Sequence, residues 1–185
     1  MKFIETLLVT DKIENLELHN KRMNKTRKDF FSAKPLNLQN YVKIIPNKRV
    51  RVTYSKEIEK IEYFDLSKRE FKSFKLVYSD IDYHYKYADR TALNALKHPE
   101  FDEIIIIKDG FVTDTTISNL AFFNGKVWHT PKNPLLKGTK REELINKGLL
   151  IEKDIALSDI KKYKKFAMLN AVIGFYERDI QCISF

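Results

Sequence analysis

The sequence predicts a mixed α+β fold in two lobes, and three patterns support this expectation. Phe3 to Val9 has the composition of a strand, and Leu16 to Phe30 has apolar residues near the seven-residue spacing of a helix. The second half of the chain contains short strands separated by hairpin signals. Because a polar stretch begins at Ser79, we expect a small α+β lobe over residues 1–79 and a larger β-rich lobe over residues 80–185.

The first half contains further elements around the predicted helix. Asn15 precedes that helix and is a plausible N-cap. Lys48 to Ser55 alternates, so Val50, Val52 and Tyr54 share one face of a strand. The remaining predictions are strands at Ile58 to Leu66 and Phe71 to Tyr78, and a short helix within Asp89 to Leu96.

Two hairpins are predicted in the second half. Asp109-Gly110 follows the apolar strand Ile104 to Ile107, and Asn124-Gly125 follows Leu120 to Phe123. We predict a type I′ turn at Asn124-Gly125, because both residue types accept positive φ angles. The last predicted elements are a helix from Thr139 to Lys147 ending at Gly148, and strands at Ile151 to Ile155, Phe166 to Leu169 and Ile180 to Phe185.

Composition and charge narrow the classes of function. The chain is 43% hydrophobic, which is typical of a globular protein, and no apolar run approaches the ~20 residues of a membrane span. Glu5 stands where a secretory signal would be apolar, and the single cysteine fits a reducing cytosol, so we expect a cytoplasmic protein. That residue, Cys182, is expected to pack in the core. The net charge of +9 is spread over scattered lysines, which favours solvated helix faces over nucleic-acid binding, and a basic surface would also help to attract small anions.

Lys86 is the first candidate for chemistry. It is flanked by Tyr83, Tyr85 and Tyr87, and a partly desolvated amine loses its proton more readily, as a Schiff-base lysine must. The alternative interpretation is an ordinary surface lysine.

Two later segments could complement this amine. Asp114 follows a predicted hairpin and could pair with a protonated pyridine nitrogen, or could simply cap its own loop. Gly138-Thr139-Lys140-Arg141 opens a predicted helix, whose first N–H groups can bind phosphate, although an ordinary glycine turn has the same pattern. An amine, an acid and such a turn can together hold pyridoxal phosphate, which indicates an enzyme. No metal-ligand spacing is present among the histidines.

In order and spacing, these segments resemble the class IV (fold type IV) pyridoxal-phosphate enzymes. Glu5-Thr6 followed by His19-x-x-Arg22 is similar to the opening strand and first helix of the family. Asp109-Gly110-x-Val112-x-Asp114-x-x-x-Ser118-Asn119 is similar to Gly-x-Val-x-Glu-x-x-x-x-Asn. Leu136-x-Gly138-Thr139-x-Arg141 is similar to the phosphate turn. The resemblance covers nearly the whole chain, and it implies the two-lobe fold of this family, shortened at the N-terminus.

The resemblance also implies roles for individual residues. Lys86 takes the place of the catalytic Schiff-base lysine, Arg22 that of the phosphate-binding arginine, and Asp114 that of the glutamate at the pyridine nitrogen. The full set of implied cofactor-binding residues is Arg22, Lys86, Asp114, Ser118, Asn119, Gly138, Thr139 and Lys140. Arg90 and Asn170 are the implied substrate-binding residues.

The subgroup follows from a further segment. Leu169-Asn170-Ala171-Val172-Ile173-Gly174 resembles the Asn-Ala/Ser-Leu-Arg-Gly segment of the lyases, with Ile173 in the place of the arginine. This implies a 4-amino-4-deoxychorismate lyase of folate biosynthesis, a homodimer that releases pyruvate and 4-aminobenzoate from a small anionic substrate.

Three other functions remain open. The chain could be a class IV aminotransferase acting on branched-chain or D-amino acids, or a non-catalytic relic of the family with a binding pocket. A basic nucleic-acid module is the remaining alternative, and it predicts steeply salt-dependent binding.

Overall fold

The computed structural model describes residues Met1–Phe185, and its contacts divide the chain into two compact units. The first unit comprises Met1–Lys68 and Tyr85–Asp89, and the second comprises Arg69–His84 and Arg90–Phe185. This division differs from the predicted boundary at residue 79, because the strand before Ser79 pairs with a strand of the second unit. The assignment of residues 1–79 and 80–185 as domains stays a prediction.

The first unit is an antiparallel sheet with one helix. Strands β1 (Phe3–Val9), β2 (Lys48–Tyr54) and β3 (Ile58–Asp65) lie in that order. Helix α1 (Leu16–Phe31) contributes Met23 to the core that the sheet forms. The alternation predicted for β2 is confirmed: Val50, Val52 and Tyr54 are fully buried in this core.

Asn15 lies at the start of α1, as predicted, but for a different physical reason. It has a left-handed conformation (φ 52°), and its side chain makes no capping hydrogen bond to the helix. Asparagine tolerates this backbone region better than most residues. Its contribution is therefore the backbone geometry with which the chain enters α1.

Arg27 is a buried cation held by neutral oxygens. It lies on α1 and is 1% exposed. Its Nε and Nη2 donate to the carbonyl of Lys56 at 3.0 and 2.5 Å, and its Nη1 donates to the carbonyl of Lys34 at 2.5 Å. A third partner is the side-chain oxygen of Asn24, at 3.2 Å from Nη1. One side chain therefore ties the helix to two loops of the first unit.

We expect Arg27→Met to destabilise the protein by about 2–4 kcal/mol, because it leaves two inward-facing carbonyls without donors. Urea unfolding followed by circular dichroism measures this loss. Lys28→Met on the same helix, at an exposed position, is the matched control and should change the midpoint little. Equal midpoints for the two variants would contradict the bracing role of Arg27.

The second unit contains two sheets and two short helices. Its strands are β4 (Phe74–Tyr78), β5 (Glu103–Lys108), β6 (Phe111–Val112), β7 (Asn119–Phe123), β8 (Trp128–Pro131), β9 (Ile151–Lys153), β10 (Lys165–Asn170), β11 (Gly174–Asp179) and β12 (Ile183–Ser184). The helices are α2 (Thr91–Ala95) and α3 (Thr139–Asn146). One sheet has the order β11-β10-β7-β8-β9 and the other β12-β4-β5-β6. The mixed α+β class predicted from the sequence is confirmed.

Both sheets contribute to one core. Ile105 and Ile107 of β5 pack in it with Leu120 and Phe122 of β7. Residues that alternate with these, such as Ala121, form a second cluster with Leu144 of α3. Because strand side chains alternate between faces, α3 covers the side of the five-stranded sheet opposite the main core.

One predicted hairpin turn is confirmed and the other is wrong in type. Asp109 and Gly110 both have positive φ (52° and 80°), and Lys108 pairs with Phe111, as a two-residue type I′ turn requires. Around Asn124-Gly125, by contrast, Phe123 pairs with Trp128, so the loop is longer. The Asn124 side chain accepts hydrogen bonds from the N–H groups of residues 126 and 127 at 2.9 and 3.0 Å, and this local bonding sets the wider turn.

The C-terminal prediction is partly wrong. Ile180–Cys182 forms a 3-10 helix, whose start is fixed by the Asp179 carboxylate accepting from Gln181 N–H at 2.8 Å. Only Ile183–Ser184 is a strand, and the preceding β11 was not predicted. Cys182 packs partly buried against the main core, as expected. No helix of the chain combines the length and apolar character that crossing a membrane requires.

Candidate active site

Main-chain hydrogen bonds fix the position of Lys86. The N–H of Ile4 on β1 donates to the Lys86 carbonyl at 2.9 Å, and the N–H of Ala88 donates to the Lys2 carbonyl at 2.9 Å. Tyr87 forms an antiparallel bridge with Phe3 between these two bonds. Lys86 is half-buried. Its place at the edge of the first sheet is therefore set by backbone contacts that a side-chain substitution leaves in place.

Two of the three flanking tyrosines share the unit of Lys86. The rings of Tyr85 and Tyr87 lie 6.3 and 5.3 Å from the ring of Phe3. The Tyr85 hydroxyl donates to Asp29 on α1 at 2.9 Å. Tyr83 belongs to the second unit. The residues on either side of Lys86 are thus anchored to both β1 and α1.

A buried acid lies on β1 in the same unit. The Glu5 carboxylate accepts from Nε of Arg22 at 2.9 Å, from Nη2 of Arg22 at 2.5 Å and from Nδ1 of His19 at 2.7 Å. Glu5 and His19 are fully buried. Burial acts to raise the pKa of Glu5, but the charge of Arg22 and the hydrogen bonds from His19 and Arg22 outweigh it and hold the pKa at about 2. Glu5 is therefore an anion at neutral pH.

His19 is neutral in this cluster. Burial lowers its pKa below the ordinary value, and the charges of Arg22 and Lys86 act in the same direction, while Glu5 opposes them. Because the Glu5 carboxylate is an anion and can only accept, we assign the hydrogen between the two groups to Nδ1 of His19. The first unit thus brings together Glu5, His19, Arg22 and the positive charge of Lys86.

The second unit contains a different acid, at the end of β6. Asp114 is 4% exposed. Its Oδ1 accepts from Asn119 Nδ2 at 2.7 Å, and its Oδ2 accepts from Leu136 N–H at 2.9 Å. Asn119 Nδ2 also donates to the Leu136 carbonyl at 2.7 Å. These bonds attach the loop that begins at Asp114 to the turn that precedes α3.

The charge state of Asp114 depends on two opposing effects. Burial raises its pKa to about 7, while hydrogen bonds from Leu136 and Asn119 and the charge of Arg141 act to lower it. The balance places its titration near neutral pH. A carboxyl group with such a pKa is a common feature of functional sites.

Gly138 allows the close approach on which this attachment depends. A Cβ at position 138 would lie 2.0 Å from Oδ1 of Asn119, which is far inside van der Waals contact. Gly138 occupies the N-cap position of α3, and no side chain caps the helix there. Thr139, the first helical residue, is buried, and Lys140 pairs with Glu143 at 2.8 Å. The helix start thus presents backbone N–H groups beside a buried, hydrogen-bonded turn.

We expect Gly138→Ala to destabilise the second unit by about 2–4 kcal/mol, because Asn119 must leave its contacts with Asp114 and Leu136. The fluorescence of the single tryptophan, Trp128 on β8, reports unfolding of this unit. The control is Asn119→Ala, alone and combined with Gly138→Ala. If the clash is the cause, the double variant is no less stable than Asn119→Ala alone, whereas additive losses would contradict it.

Three further predicted residues contact the loop between Asp114 and Asn119. Arg90 donates from Nη2 to the Thr116 carbonyl, and Ser118 Oγ lies 2.9 Å from Thr115 Oγ1. Asn170 donates to the Ile117 carbonyl at 3.2 Å. The Asn170 side-chain oxygen also accepts from the N–H groups of residues 172 and 173 at 2.9 and 2.8 Å, so it shapes the β10–β11 turn. The structure thus gathers the implied substrate-binding residues around one loop.

The predicted site residues are distributed over both units. Arg22 and Lys86 lie in the first, and the others lie in the second: Arg90, Asp114, Ser118, Asn119, Gly138, Thr139, Lys140 and Asn170. Their assembly into one site stays a prediction. Glu5 and His19 had no role in the predicted site, although Glu5 stands at an inward position of β1 between Phe3 and Leu7. A charged residue in an apolar alternation is the signal that could have identified it.

Comparison with known proteins identifies the family. The sequence model of the amino-transferase class IV family matches residues 83–177. The chain belongs to this family, whose members are pyridoxal-phosphate-dependent enzymes.

Individual relatives agree with this placement. A protein of Haemophilus influenzae is 35% identical over 92% of this chain and 97% of its own length. The crystal structure of a proposed 4-amino-4-deoxychorismate lyase from Haemophilus somnus 129pt is 31% identical, with a TM-score of 0.88, over 94% of this chain and 97% of that one. The PLP-bound form of a hypothetical aminotransferase from Mycobacterium tuberculosis shares the fold at 15% identity, with a TM-score of 0.76, over 95% of this chain and 79% of that one.

The chain contains the kinds of functional group that bind pyridoxal phosphate. Lys86 offers an amine, Arg22 a guanidinium, and Asp114 a buried carboxyl group. The start of α3 offers backbone N–H groups behind an N-cap glycine that leaves room for close approach. These are the groups that an aldehyde, a phosphate and a ring nitrogen require.

Proposed function

We propose that the protein is a pyridoxal-phosphate-dependent 4-amino-4-deoxychorismate lyase, which converts its substrate to pyruvate and 4-aminobenzoate. The observation that carries this proposal is the similarity over nearly the full chain to the proposed lyase of Haemophilus somnus. A proposed aminodeoxychorismate lyase of Schizosaccharomyces pombe is also 41% identical over 58 residues, which are 30% of this chain and 25% of that protein.

In this proposal, each group contacts one part of the cofactor. Lys86 binds the aldehyde, and Arg22 binds the phosphate together with the start of α3 at Gly138, Thr139 and Lys140. Asp114 faces the ring nitrogen, while Ser118 and Asn119 hold the loop and turn around it. When bound, the cofactor supplies an electron-poor ring that stabilises negative charge on the substrate carbon.

Lys86 also moves the proton of the reaction. Once the substrate amine has taken the place of Lys86 at the aldehyde, the freed ε-amine would accept a proton from the ring carbon that bears the substrate amine. The bond to the enolpyruvyl oxygen then breaks, and the ring becomes aromatic. Lys86 returns the proton to the methylene carbon of the departing enolpyruvate, which leaves as pyruvate. No oxidant or other reactant is consumed.

The substrate carries carboxylates, for which the loop after Asp114 offers a cation. Arg90 already donates to that loop through Nη2, while its buried Nε has no hydrogen-bond partner. Asn170 contacts the same loop from β10. We assign both residues to substrate binding on this basis.

Pyruvate release tests the proposal. Purified protein loaded with pyridoxal phosphate is mixed with aminodeoxychorismate, and pyruvate is measured by reduction with lactate dehydrogenase. We expect stoichiometric pyruvate and 4-aminobenzoate. If the cofactor binds but no pyruvate is released, the lyase activity is rejected, whereas the proposed cofactor-binding site is not.

A class IV aminotransferase is the second candidate, and the match to the amino-transferase class IV family model favours it. An aminotransferase would convert bound pyridoxal phosphate to the pyridoxamine form when given an amino acid. A pure lyase would not. Absorbance spectra recorded with D- and L-amino acids distinguish the two activities.

The proposal includes a homodimer, as the family resemblance implies. Sedimentation equilibrium of the loaded protein measures the assembly directly. A mass near the 21.9 kDa of one chain at micromolar concentration would reject the dimer without affecting the proposed reaction.

A further inference from the structure

We propose that Glu5 is a positioning residue that fixes the guanidinium of Arg22 and thereby sets the affinity of the protein for the phosphate of its cofactor. This inference rests on the proposed function, since it concerns the phosphate-binding role given to Arg22. It adds Glu5, which has no role in that proposal, and His19, which supports it.

The first step is the geometry of the pair. Glu5 receives two bonds from Arg22, from Nε at 2.9 Å and from Nη2 at 2.5 Å. Two parallel bonds of this kind fix the plane of a guanidinium as well as its distance. A single bond or a surface ion pair would leave that plane free to rotate.

The second step is the difference in burial between the partners. The side chain of Glu5 is 0% exposed and that of Arg22 is 17% exposed. The carboxylate therefore lies behind the guanidinium, on the inner side. The bonds to Glu5 use Nε and Nη2, so Nη1 is directed away from the carboxylate. An anion from outside would approach that other edge of Arg22.

The third step is the role of His19. Its Nδ1–H donates to Oε2 of Glu5 at 2.7 Å, the same oxygen that accepts from Nη2 of Arg22. Because His19 is neutral, it holds the carboxylate in place without neutralising its charge. Glu5 is thus fixed by one partner and orients the other.

An isosteric replacement of Glu5 separates its effect on the orientation of Arg22 from its effect on packing. Glu5→Gln keeps the shape of the side chain, but its amide nitrogen cannot accept a hydrogen bond, so one bond of the fork is lost. We expect the affinity for pyridoxal phosphate to fall about 10- to 100-fold, while the affinity for pyridoxal, which lacks the phosphate, changes less than about twofold. Equilibrium dialysis of the cofactor-free protein measures both affinities.

A double-mutant cycle tests the route through Arg22. If Glu5 acts through that guanidinium, Glu5→Gln causes no further loss of affinity for pyridoxal phosphate in an Arg22→Gln background. Glu57→Gln, at an exposed position of the same unit, is the matched control and should leave both affinities unchanged. Additive losses in the cycle would overturn the proposal.

Glu5→Asp covers the case in which Glu5→Gln does not fold. This substitution keeps the charge but withdraws the carboxylate oxygens from Arg22 by one methylene. We therefore expect the affinity for pyridoxal phosphate to fall at least about threefold and the affinity for pyridoxal to stay the same. Unchanged affinities, or equal losses for both ligands with a lower unfolding midpoint, would reduce Glu5 to a structural residue and overturn the inference. If the unaltered protein binds neither ligand, the proposed function fails as well, which is a distinguishable result.

Discussion

Lys86→Ala is expected to abolish the covalent link to pyridoxal phosphate and to lower pyruvate release by at least about a thousandfold. The substitution removes the amine that binds the aldehyde and, in the same proposal, the group that moves the proton. Borohydride reduction followed by peptide mass mapping detects the link, and the lactate dehydrogenase assay measures turnover. Lys86→Arg should lose the covalent link and the turnover as completely as Lys86→Ala, because a guanidinium keeps the charge but does not form the imine.

The structure predicts that this loss is chemical and not a consequence of unfolding. Lys86 is held by the main-chain bond from Ile4 N–H to its own carbonyl and by the neighbouring bond from Ala88 N–H to the Lys2 carbonyl, which do not depend on its side chain. The unfolding midpoint of Lys86→Ala should therefore match that of the control Lys60→Ala, an exposed lysine on β3. Failure of the unaltered protein to bind pyridoxal phosphate, with Lys86→Ala leaving every property unchanged, would favour the non-catalytic alternative.

Periodicity predicted the elements whose faces differ strongly in burial. In β2 every second residue is fully buried, and its bounds agree with the prediction to within one residue. Strand β11 was missed because its residues are mostly of intermediate burial, so Gly174 to Asp179 has no apolar alternation to detect. The turn at Asn124 was predicted from dihedral preference alone. Its side chain instead bonds to the following backbone, a competing effect that sequence pattern does not resolve.

The candidate site was predicted from the order and spacing of motifs that resemble a family. Such motifs do not show which side chains contact each other. The family resemblance assigned Asp114, Asn119 and Gly138 to one cofactor site, and the structure adds that the three contact each other or a shared turn. The resemblance also included Glu5 and His19 in a motif, but it did not show that they contact each other, because that contact forms only when α1 packs on β1. Buried ion pairs between elements are therefore the part of such a site that only the fold reveals.

Asp114 should make the cofactor-free protein less stable as the pH rises from 4 to 8. Burial raises its pKa from 3.8 to about 7, so the folded state holds a proton that the unfolded chain has lost. The stability gained from that proton is fully present below pH 3.8 and is lost as the pH rises through about 7. The difference between the two pKa values corresponds to about 4 kcal/mol.

Comparison with Asp114→Asn isolates this effect from the other titrating groups. Glu5 and His19 have the opposite effect: their contributions to the stability of the protein are lost as the pH falls, because folding lowers both of their pKa values. They belong to the first unit and are present in both proteins, so they cancel in the difference. Urea unfolding followed by Trp128 fluorescence gives the free energy of unfolding of both proteins at several pH values. We expect the value for the unaltered protein to fall relative to that for Asp114→Asn as the pH rises.

The informative failure is a stability difference that does not change between pH 4 and 8. Hydrogen-bond donors of Asn119 and Leu136 are directed at the Asp114 oxygens, and donors favour the charged carboxylate. If they outweigh burial, the pKa of Asp114 in the folded state lies below 3.8, so the stability difference from Asp114→Asn is constant above pH 3.8 and falls only as the pH drops below that value. Asp114 would then be ionised before any cofactor binds, and the turn before α3 would depend on that charge. The slope between pH 4 and 8 therefore decides whether this carboxyl group meets the ring nitrogen as an acid or as an anion.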